Sequence, residues 1–212
     1  MNTILYDYWR SSAAYRVRIA LGLAGLPFTS IPVDLPKGDH KAPENIARNP
    51  QGLVPTLDVD GRVLTQSLAI IEYLDETRAA GFLPEDSFGR ARMRALAYAI
   101  AMEIHPVCNS SVTSHVVQAS GGAITAEAWM QAIMAPRLAA FEAMLDDPAT
   151  GTFCHGDRVG MADICLLPQL YNARRWGVDV TSLSRCLEIA TRVEAIPAVA
   201  AAHPDKFKGE TP

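Results

Sequence analysis

The stretch from Asn49 to Leu74, NPQGLVPTLDVDGRVLTQSLAIIEYL, constrains the fold more than any other part of the chain. Its TLDVD and RVLTQ segments alternate well enough to be two short strands, and Gly61 supplies the turn residue between them. Ser67 is predicted to cap a helix, because the apolar residues that follow it recur at helical spacing. The pattern therefore predicts a strand, its hairpin partner and a helix in direct succession.

The ends of this unit predict a binding site for a small acidic peptide. A helix that begins with a free hydroxyl and unpaired N–H groups is a natural seat for a carboxylate, and Ser67 stands at such a start. Pro55 removes one backbone donor just before the first strand. A cis Val54–Pro55 bond would let the Val54 backbone face outward and pair with an extended peptide.

Before this unit the chain alternates strand and helix. Residues 3–7 are predicted as a strand, Ser12–Ala24 as a helix that stops at Gly25, and FTSIPV as a second strand. The polar PKGDHKAPEN stretch, residues 36–45, is predicted as a loop. Residues 1–80 therefore have the order β-α-β, connection, β-β-α, which predicts a small α/β domain of the thioredoxin-like type.

Everything after this domain is predicted to be helical. The stretch RAAGFLPEDSFGR, residues 78–90, breaks the pattern with Gly, Pro and charge and is predicted as a linker. Long helices are predicted over residues 90–117, 126–145 and 161–176, with two shorter ones after them. The predicted fold class is thus an α/β domain, residues 1–80, followed by an all-α domain, residues 88–212. The last segment, HPDKFKGETP, is expected to be mobile.

Composition excludes several classes of function. The 212 residues, 49% hydrophobic and 20% charged, fit a soluble globular protein with two modest cores. A net charge of −4 without a basic run argues against nucleic acid as a partner. We expect no signal peptide and no membrane contact, since no apolar run is long enough. The four cysteines are widely spread without zinc-site spacing, so free thiols in a reducing cytoplasm, and no metal, are expected.

Four sequence blocks carry a resemblance that runs nearly end to end: YWRSSAAYRVRIAL, NPQGLVPTL with QSLAIIEYL, IHPVCN, and GMADICLLPQLYNARRWGVDVT. With them the chain resembles a zeta-class glutathione transferase, the family of the maleylacetoacetate and maleylpyruvate isomerases. The first block is specific to the class, whereas the VP and QS elements are common to glutathione transferases. The resemblance implies a glutathione-binding thioredoxin-like domain, a helical substrate-binding domain, and a homodimer in which unlike domains of the two subunits meet.

The resemblance places Ser11 or Ser12 beside the glutathione sulfur, with Ser11 slightly favoured. Physically, the start of a helix carries partial positive charge and unsatisfied N–H donors, which stabilise an anion. The alternative is that both serines are ordinary helix caps. Ala13 departs from the family, which usually has a cysteine there, and this puts in doubt any side reaction that needs a thiol of the protein.

The resemblance also assigns glutathione ligands. It implies that Gln66 and Ser67 bind the γ-glutamyl carboxylate and that the Val54 backbone pairs with the cysteinyl part of the tripeptide. His40 and Gln51 lie in loops that usually flank its glycine end. A sixth residue, Asn109, is expected to reach glutathione or substrate from a helix that Pro106 bends.

On the substrate side, a small dianion has to be attracted to a protein of net negative charge, so local arginines must supply the attraction. Arg10 and Arg175 match positions that the family keeps as arginine, and a guanidinium suits a carboxylate bidentately. Arg174 is the alternative to Arg175, because neighbours on a helix point about 100° apart and only one is expected to face the site. Asp163 is predicted to be structural, holding a helix start at which Gly160 takes the cap position.

The implied activity is glutathione-dependent cis–trans isomerisation of a maleyl-type keto dicarboxylic acid, maleylacetoacetate or maleylpyruvate, in aromatic-acid or tyrosine breakdown. Two alternatives stay open. One is a transferase that conjugates or dehalogenates small α-halo acids with the same residues. The other is a non-catalytic glutathione-transferase-like module that binds a partner.

Overall fold

The computed structural model describes residues 2–208, which divide into two compact units. The first unit comprises residues 2–82 and 195–208, and the second comprises residues 83–194. Within the described range the strands are β1 (Ile4–Asp7), β2 (Thr29–Pro32), β3 (Thr56–Val59) and β4 (Arg62–Thr65). The helices are α1 (Ser12–Leu23), α2 (Pro43–Arg48), α3 (Ser67–Arg78), α4 (Ser87–Ala101), α5 (Ser110–Ala119), α6 (Ala126–Met144), α7 (Met161–Arg175), α8 (Ser184–Glu194) and α9 (Pro197–Ala201). No helix in this range is long and apolar enough to cross a membrane.

The first unit is built on a four-stranded mixed sheet with the order β2-β1-β3-β4. β1 runs parallel to β2 and antiparallel to β3, and β3 and β4 form the predicted hairpin. Asp60 and Gly61 turn that hairpin with φ values of 54° and 73°, the left-handed conformations that a tight two-residue turn requires. The predicted β-α-β, connection, β-β-α order is confirmed.

The core of this unit lies where α1 and α3 pack together and against the sheet. Apolar side chains of β1, β3 and both helices are fully buried, among them Leu5, Leu57, Val17, Ile70 and Leu74. Burial of each such side chain stabilises the fold by roughly 1.5–3 kcal/mol. The sheet and two helices therefore form the rigid frame that carries the loops described below.

Two local predictions for this unit are wrong. Residues 36–45 are not a plain loop, because a 3₁₀ turn (Asp39–Lys41) and then α2 form within and after them. Pro43 occupies the first position of α2, where its fixed φ and missing N–H suit a helix start. Ser67 is not the cap of α3 but its first helical residue, and Gln66 takes the cap position with a φ of 68°.

The second unit is all-helical, with its core among α4, α6, α7 and α8. The predicted single helix over residues 90–117 is two helices, α4 and α5, separated by turns at 102–109. Past the end of α4 the amide of His105 bonds to Ile100 O at 3.0 Å, five residues back. Pro106 has no N–H that could resume the helical hydrogen bonds. The chain therefore forms turns here, and not the single bent helix that was predicted. Asn109 then becomes the N-cap residue of α5.

The domain boundaries also differ from the prediction. The linker is shorter than residues 78–90, since α3 reaches Arg78 and α4 begins at Ser87. Residues 195–208, predicted as part of the helical domain 88–212, group with the first unit. Within the last segment, which is predicted to be mobile, Pro204–Lys206 forms a 3₁₀ turn. The parts of these predictions that concern residues 1 and 209–212 lie outside the described residues.

Candidate active site

One end of the sheet brings together three segments that are predicted from the sequence to bind an anion or a peptide. The register pairs Tyr6 with Thr56 and Thr56 with Thr65. Extended by two residues, the same register sets the Tyr8 region opposite Val54–Pro55, and Val54–Pro55 opposite Gln66–Ser67. The start of α1, the Val54–Pro55 bond and the start of α3 therefore lie at the same end of the sheet. Residues far apart in sequence can form one site there.

The start of α1 is open to an anion. Ser11 is its N-cap residue, with its Oγ accepting from the Ala14 amide at 3.2 Å, as predicted for a cap. A hydroxyl that accepts this bond still has its own proton to donate. The amides of Ser12 and Ala13 donate no hydrogen bond to any described residue. Ser11 is half-buried whereas the Ser12 side chain is buried, so the hydroxyl of Ser11 is the more accessible of the two.

Arg10 is held beside this helix start by two aromatic side chains. Its Nε and Nη2 donate to the Tyr8 hydroxyl at 3.2 and 2.8 Å, and its guanidinium carbon lies 4.8 Å from the Trp9 ring centroid. Within residues 2–208 no carboxylate pairs with Arg10. The site thus has a fixed cation that lacks an anionic partner of its own.

The start of α3 is built by side chains from three elements. The Gln66 Nε2 donates to Gln51 Oε1 at 2.8 Å, and the Ser67 Oγ accepts from the buried Arg16 of α1 at 3.3 Å. The left-handed φ of Gln66 costs about 1–3 kcal/mol, and such strain persists where the surrounding structure imposes it. The Ser67 hydroxyl therefore bonds to Arg16 and does not cap its own helix.

The Val54–Pro55 bond is cis. Neither the amide nor the carbonyl of Val54 forms a hydrogen bond with the rest of the described chain. Half-exposed next to the starts of two helices, this backbone is positioned to pair with an extended peptide. The conformation of Val54 thus fits the predicted role.

Asn49, to which the sequence analysis gave no role, fixes the loop that carries Gln51 and Val54. Its Nδ2 donates to Leu53 O at 2.9 Å, its Oδ1 accepts from the Gln51 amide at 3.1 Å, and it is only 2% exposed. The signal was available, because an Asn side chain commonly bonds to the backbone two residues later. His40 lies next to this loop: an added Cβ on Gly52 would be 3.2 Å from the His40 carbonyl.

His40 itself is half-buried and not simply solvated. Its carbonyl accepts from Asn45 Nδ2 at 2.9 Å, while its Nδ1 is buried without a hydrogen-bond partner among the described residues. A buried ring nitrogen without a partner is unfavourable, so a ligand or water that bonds to it would be stabilised.

In the second unit, Arg175 and Arg174 lie at the end of α7 but have different contacts. Arg175 Nη2 donates to Asn172 Oδ1 at 2.9 Å and its guanidinium carbon lies 5.2 Å from the Trp176 ring centroid. Arg174 lies 4.0 Å from Glu194. Asn109 is half-buried; its side chain caps no amide of α5 but accepts a hydrogen bond from the Ser110 hydroxyl at 3.4 Å. Their roles toward substrate and glutathione stay predictions.

The buried polar groups of this unit are structural. Asp163 Oδ2 accepts from the Gly160 amide at 2.8 Å and its Oδ1 from the Cys154 amide at 2.9 Å, the cap predicted for α7. Burial raises the pKa of Asp163, and these bonds oppose the rise. Burial raises the pKa of the Cys108 thiol to about 11, which favours the neutral thiol at physiological pH.

Comparison with known proteins places this geometry in a family. Residues 10–77 match the family described as "Glutathione S-transferase, N-terminal domain". A maleylacetoacetate isomerase of Rhizobium meliloti (strain 1021) is 59% identical over 209 residues, which cover 98% of each chain. The holo structure of a bacterial zeta-class maleylpyruvate isomerase aligns with a TM-score of 0.93 at 36% identity, covering 98% of this chain and 100% of that one.

A maleylacetoacetate isomerase of Methylobacterium extorquens AM1, solved with bound malonate and glutathione, aligns with a TM-score of 0.89 at 40% identity. That alignment covers 95% of this chain and 96% of the other. Near-complete coverage at these identities extends the relationship to both units of the chain. The chain therefore belongs to the zeta-class glutathione transferases, the family of the maleylacetoacetate and maleylpyruvate isomerases.

Proposed function

We propose that this chain catalyses the glutathione-dependent cis–trans isomerisation of a maleyl-type keto dicarboxylic acid, maleylacetoacetate or maleylpyruvate. The observation that carries the proposal is the start of α1. There the hydroxyl of Ser11 and two unpaired amides lie next to Arg10, a cation without a carboxylate partner in the described chain. A thiolate and a carboxylate are the two anions that the proposed reaction brings to one place.

The residues at this end of the sheet fit glutathione. Val54 has a free backbone for the cysteinyl part of an extended tripeptide, and the open start of α3 with Gln66 and Ser67 suits the γ-glutamyl carboxylate. Gln51, bonded to Gln66, and His40, with its buried unpartnered nitrogen, lie next to them for the glycine end. When bound, glutathione supplies a nucleophilic thiol whose reversible addition lets the substrate double bond rotate.

The chain itself stabilises two negative charges, the thiolate of glutathione and the charge that develops on the keto acid. Ser11 donates its hydroxyl proton toward the sulfur, and the amides of Ser12 and Ala13 with the helix dipole favour the thiolate. Arg10 holds a substrate carboxylate and stabilises the charge that develops on the keto acid. Because its guanidinium is already fixed by Tyr8 and Trp9, little side-chain entropy is lost on binding.

Substitution of Ser11 separates catalysis from capping. Ser11→Ala should lower kcat/KM about 10–100-fold and raise the pKa of the bound glutathione thiol, measured from the ultraviolet absorbance of the thiolate. Ser11→Asp is the matched control for stability, because it keeps the cap acceptor but cannot donate when ionised and adds a negative charge. We expect Ser11→Asp to unfold at the wild-type temperature or above and yet to be the less active variant.

The same assay tests the activity itself. Both maleyl compounds are followed by absorbance with and without glutathione, while total glutathione is measured at the end. Turnover with no loss of glutathione supports an isomerase, whereas stoichiometric depletion would identify a conjugating or dehalogenating transferase. Wild-type activity in Ser11→Ala and Ser11→Asp with an unchanged thiol pKa would contradict the role of Ser11.

We further propose a cytoplasmic homodimer. All four cysteines are free and buried, which suits a reducing compartment. Phe88 and Met102 of the second unit are 77% and 57% exposed, and their burial by a partner subunit would be favourable. Sedimentation of the wild type and of Phe88→Ser tests the dimer, and a wild-type monomer at micromolar concentration would contradict it.

A further inference from the structure

We propose that Lys208 is a second cationic binding group for the dicarboxylate, held beside Arg10 at the indole ring of Trp9. The inference rests on the proposed function, because it takes the substrate to be a dianion that binds next to the start of α1. It adds a residue from the far end of the chain, which no sequence motif indicated.

Two cations share one aromatic ring at this place. The Nζ of Lys208 lies 5.5 Å from the Trp9 ring centroid, and the guanidinium carbon of Arg10 lies 4.8 Å from the same point. Both distances are within the ~6 Å range of cation–π attraction. Because both are measured to one centroid, the two charges are separated by no more than about one Debye length at 0.1 M salt.

The position of Lys208 follows from the buried Arg18 of α1. The Arg18 Nη2 donates to Trp9 O at 3.0 Å, and its Nε donates to Ala202 O at 3.1 Å. One guanidinium therefore holds both the segment that carries Arg10 and the segment that leads to Lys208. Arg18 also lies over the ring of Phe207, 4.5 Å from its centroid, and Phe207 in turn stacks on Phe28 at 6.1 Å.

The charge around this ring is not balanced by the protein. No described carboxylate forms an ion pair with Lys208, and none does so with Arg10. The two cations repel each other because no counterion among the described residues lies between them. The net charge of the chain is −4, so this positive charge is local to the Trp9 ring. A dianion that binds here relieves the repulsion between the two cations, because one of its carboxylates lies near each of them. The two positive charges also raise the rate at which the dianion associates.

The test is binding of malonate to the glutathione-loaded protein, measured by calorimetry, together with steady-state kinetics on the maleyl substrate. Lys208→Ala should raise the malonate Kd and the KM for the dicarboxylate about 3–10-fold at low ionic strength. Lys208→Ala should also make the malonate Kd and the KM for the dicarboxylate depend less on salt concentration. The kcat and the KM for glutathione should stay within about twofold of wild type. Lys208→Arg should restore most of the loss, since it keeps the charge.

The chain offers a matched control in Lys206, an exposed lysine two residues before Lys208, at the end of the 3₁₀ turn Pro204–Lys206. Lys206→Ala removes the same charge from the protein without removing one from the Trp9 ring, so it should leave both constants within about twofold of wild type. Equal effects of Lys206→Ala and Lys208→Ala, or none from either, would overturn the inference. A wild type that binds malonate through Lys208 but isomerises neither maleyl compound would instead contradict the proposed function alone.

Discussion

At the scale of single residues, the structure gives Arg174 and Arg175 of the second unit different contacts, which the sequence alone could not show. Arg174 and Arg175 are consecutive, and helical geometry says only that they point in different directions. Arg174 lies within ion-pair distance of Glu194, whereas Arg175 donates to the neutral side chain of Asn172 and lies by the Trp176 ring. These two contacts orient the Arg175 guanidinium, and its role as the ligand of a substrate carboxylate stays a prediction.

Arg175→Ala should therefore raise the KM for the maleyl substrate about 10-fold or more, with the KM for glutathione changed less than about twofold. Arg174→Ala is the matched control, because it removes the same charge from the next residue and should cost little, as exposed ion pairs do. Steady-state kinetics with each substrate varied in turn measures both constants. Unchanged kinetics in Arg175→Ala would remove this residue from the site, and an effect confined to Arg174→Ala would reverse the assignment.

The residues at helix starts show how far sequence reaches. Ser11 could be predicted as a cap because Ser is a preferred cap residue and the apolar spacing begins just after it. The same reasoning misplaced the cap of α3, since Gln66 adopts a left-handed φ that Gln seldom takes. The bond from Arg16 to Ser67 spans 51 positions of the sequence. A local pattern does not contain such a contact.

At the scale of elements, the loop 49–53 is predicted to control glutathione affinity. Asn49→Ala removes both side-chain bonds of the loop and keeps only its backbone bond from Gly52 N to Asn49 O, so Gln51 and the Val54 backbone are held less firmly. We expect the KM for glutathione to rise about 5–20-fold with kcat reduced less than about threefold, because loss of binding geometry costs on the order of 1–2 kcal/mol. The measurement is steady-state kinetics at saturating dicarboxylate.

Asn49→Asp separates the two bonds of this loop. It keeps the oxygen that accepts from the Gln51 amide but loses the donor to Leu53 O, so its KM should lie between those of wild type and Asn49→Ala. Thermal unfolding of each variant shows whether stability changes in parallel. If both variants lose stability and kcat while the KM for glutathione stays constant, Asn49 is structural and does not position the ligand.

Among the elements, those fixed by local pattern could be predicted and those fixed by packing or backbone bonding could not. Alternation and Gly61 identified the β3–β4 hairpin, and the strand–helix–strand order before it was correct. The break at residues 102–109 was missed because Ala-rich sequence favours a helix on both sides of Pro106. The short α2 was hidden in a stretch whose polar composition resembles a loop.

At the scale of the whole molecule, the unexpected feature is the return of residues 195–208 to the first unit. Their sequence gives no sign of this, because the partner is Arg18, which bonds to Ala202 across 184 positions. Arg18 is fully buried and pairs with Asp7 of β1 at 2.9 Å, so one side chain joins strand, helix and returning segment. Burial raises the pKa of Asp7, and Arg18 offsets part of the rise.

This pair predicts a pH dependence of stability. Arg18→Met leaves Asp7 buried without its cation, which should lower the free energy of unfolding by about 3–5 kcal/mol near neutral pH. Without Arg18 the pKa of Asp7 in the folded state rises further above its unfolded value, so the charged carboxylate is the source of the penalty. The penalty is full above the folded-state pKa, shrinks as the pH falls toward the unfolded value of about 3.9, and is absent below that value, where the group is neutral in both states.

Denaturant unfolding of Arg18→Met and wild type between about pH 8 and about pH 4 therefore should show a difference that narrows on acidification. It should not vanish, because a methionine side chain cannot make the bonds that Arg18 makes to Trp9 O and Ala202 O. The double variant Asp7→Asn/Arg18→Met removes both charges, so its difference from wild type should vary less with pH and be smaller at neutrality. A difference for Arg18→Met that is constant across this range would mean that Arg18 does not change the titration of Asp7, and it would contradict the charged pair.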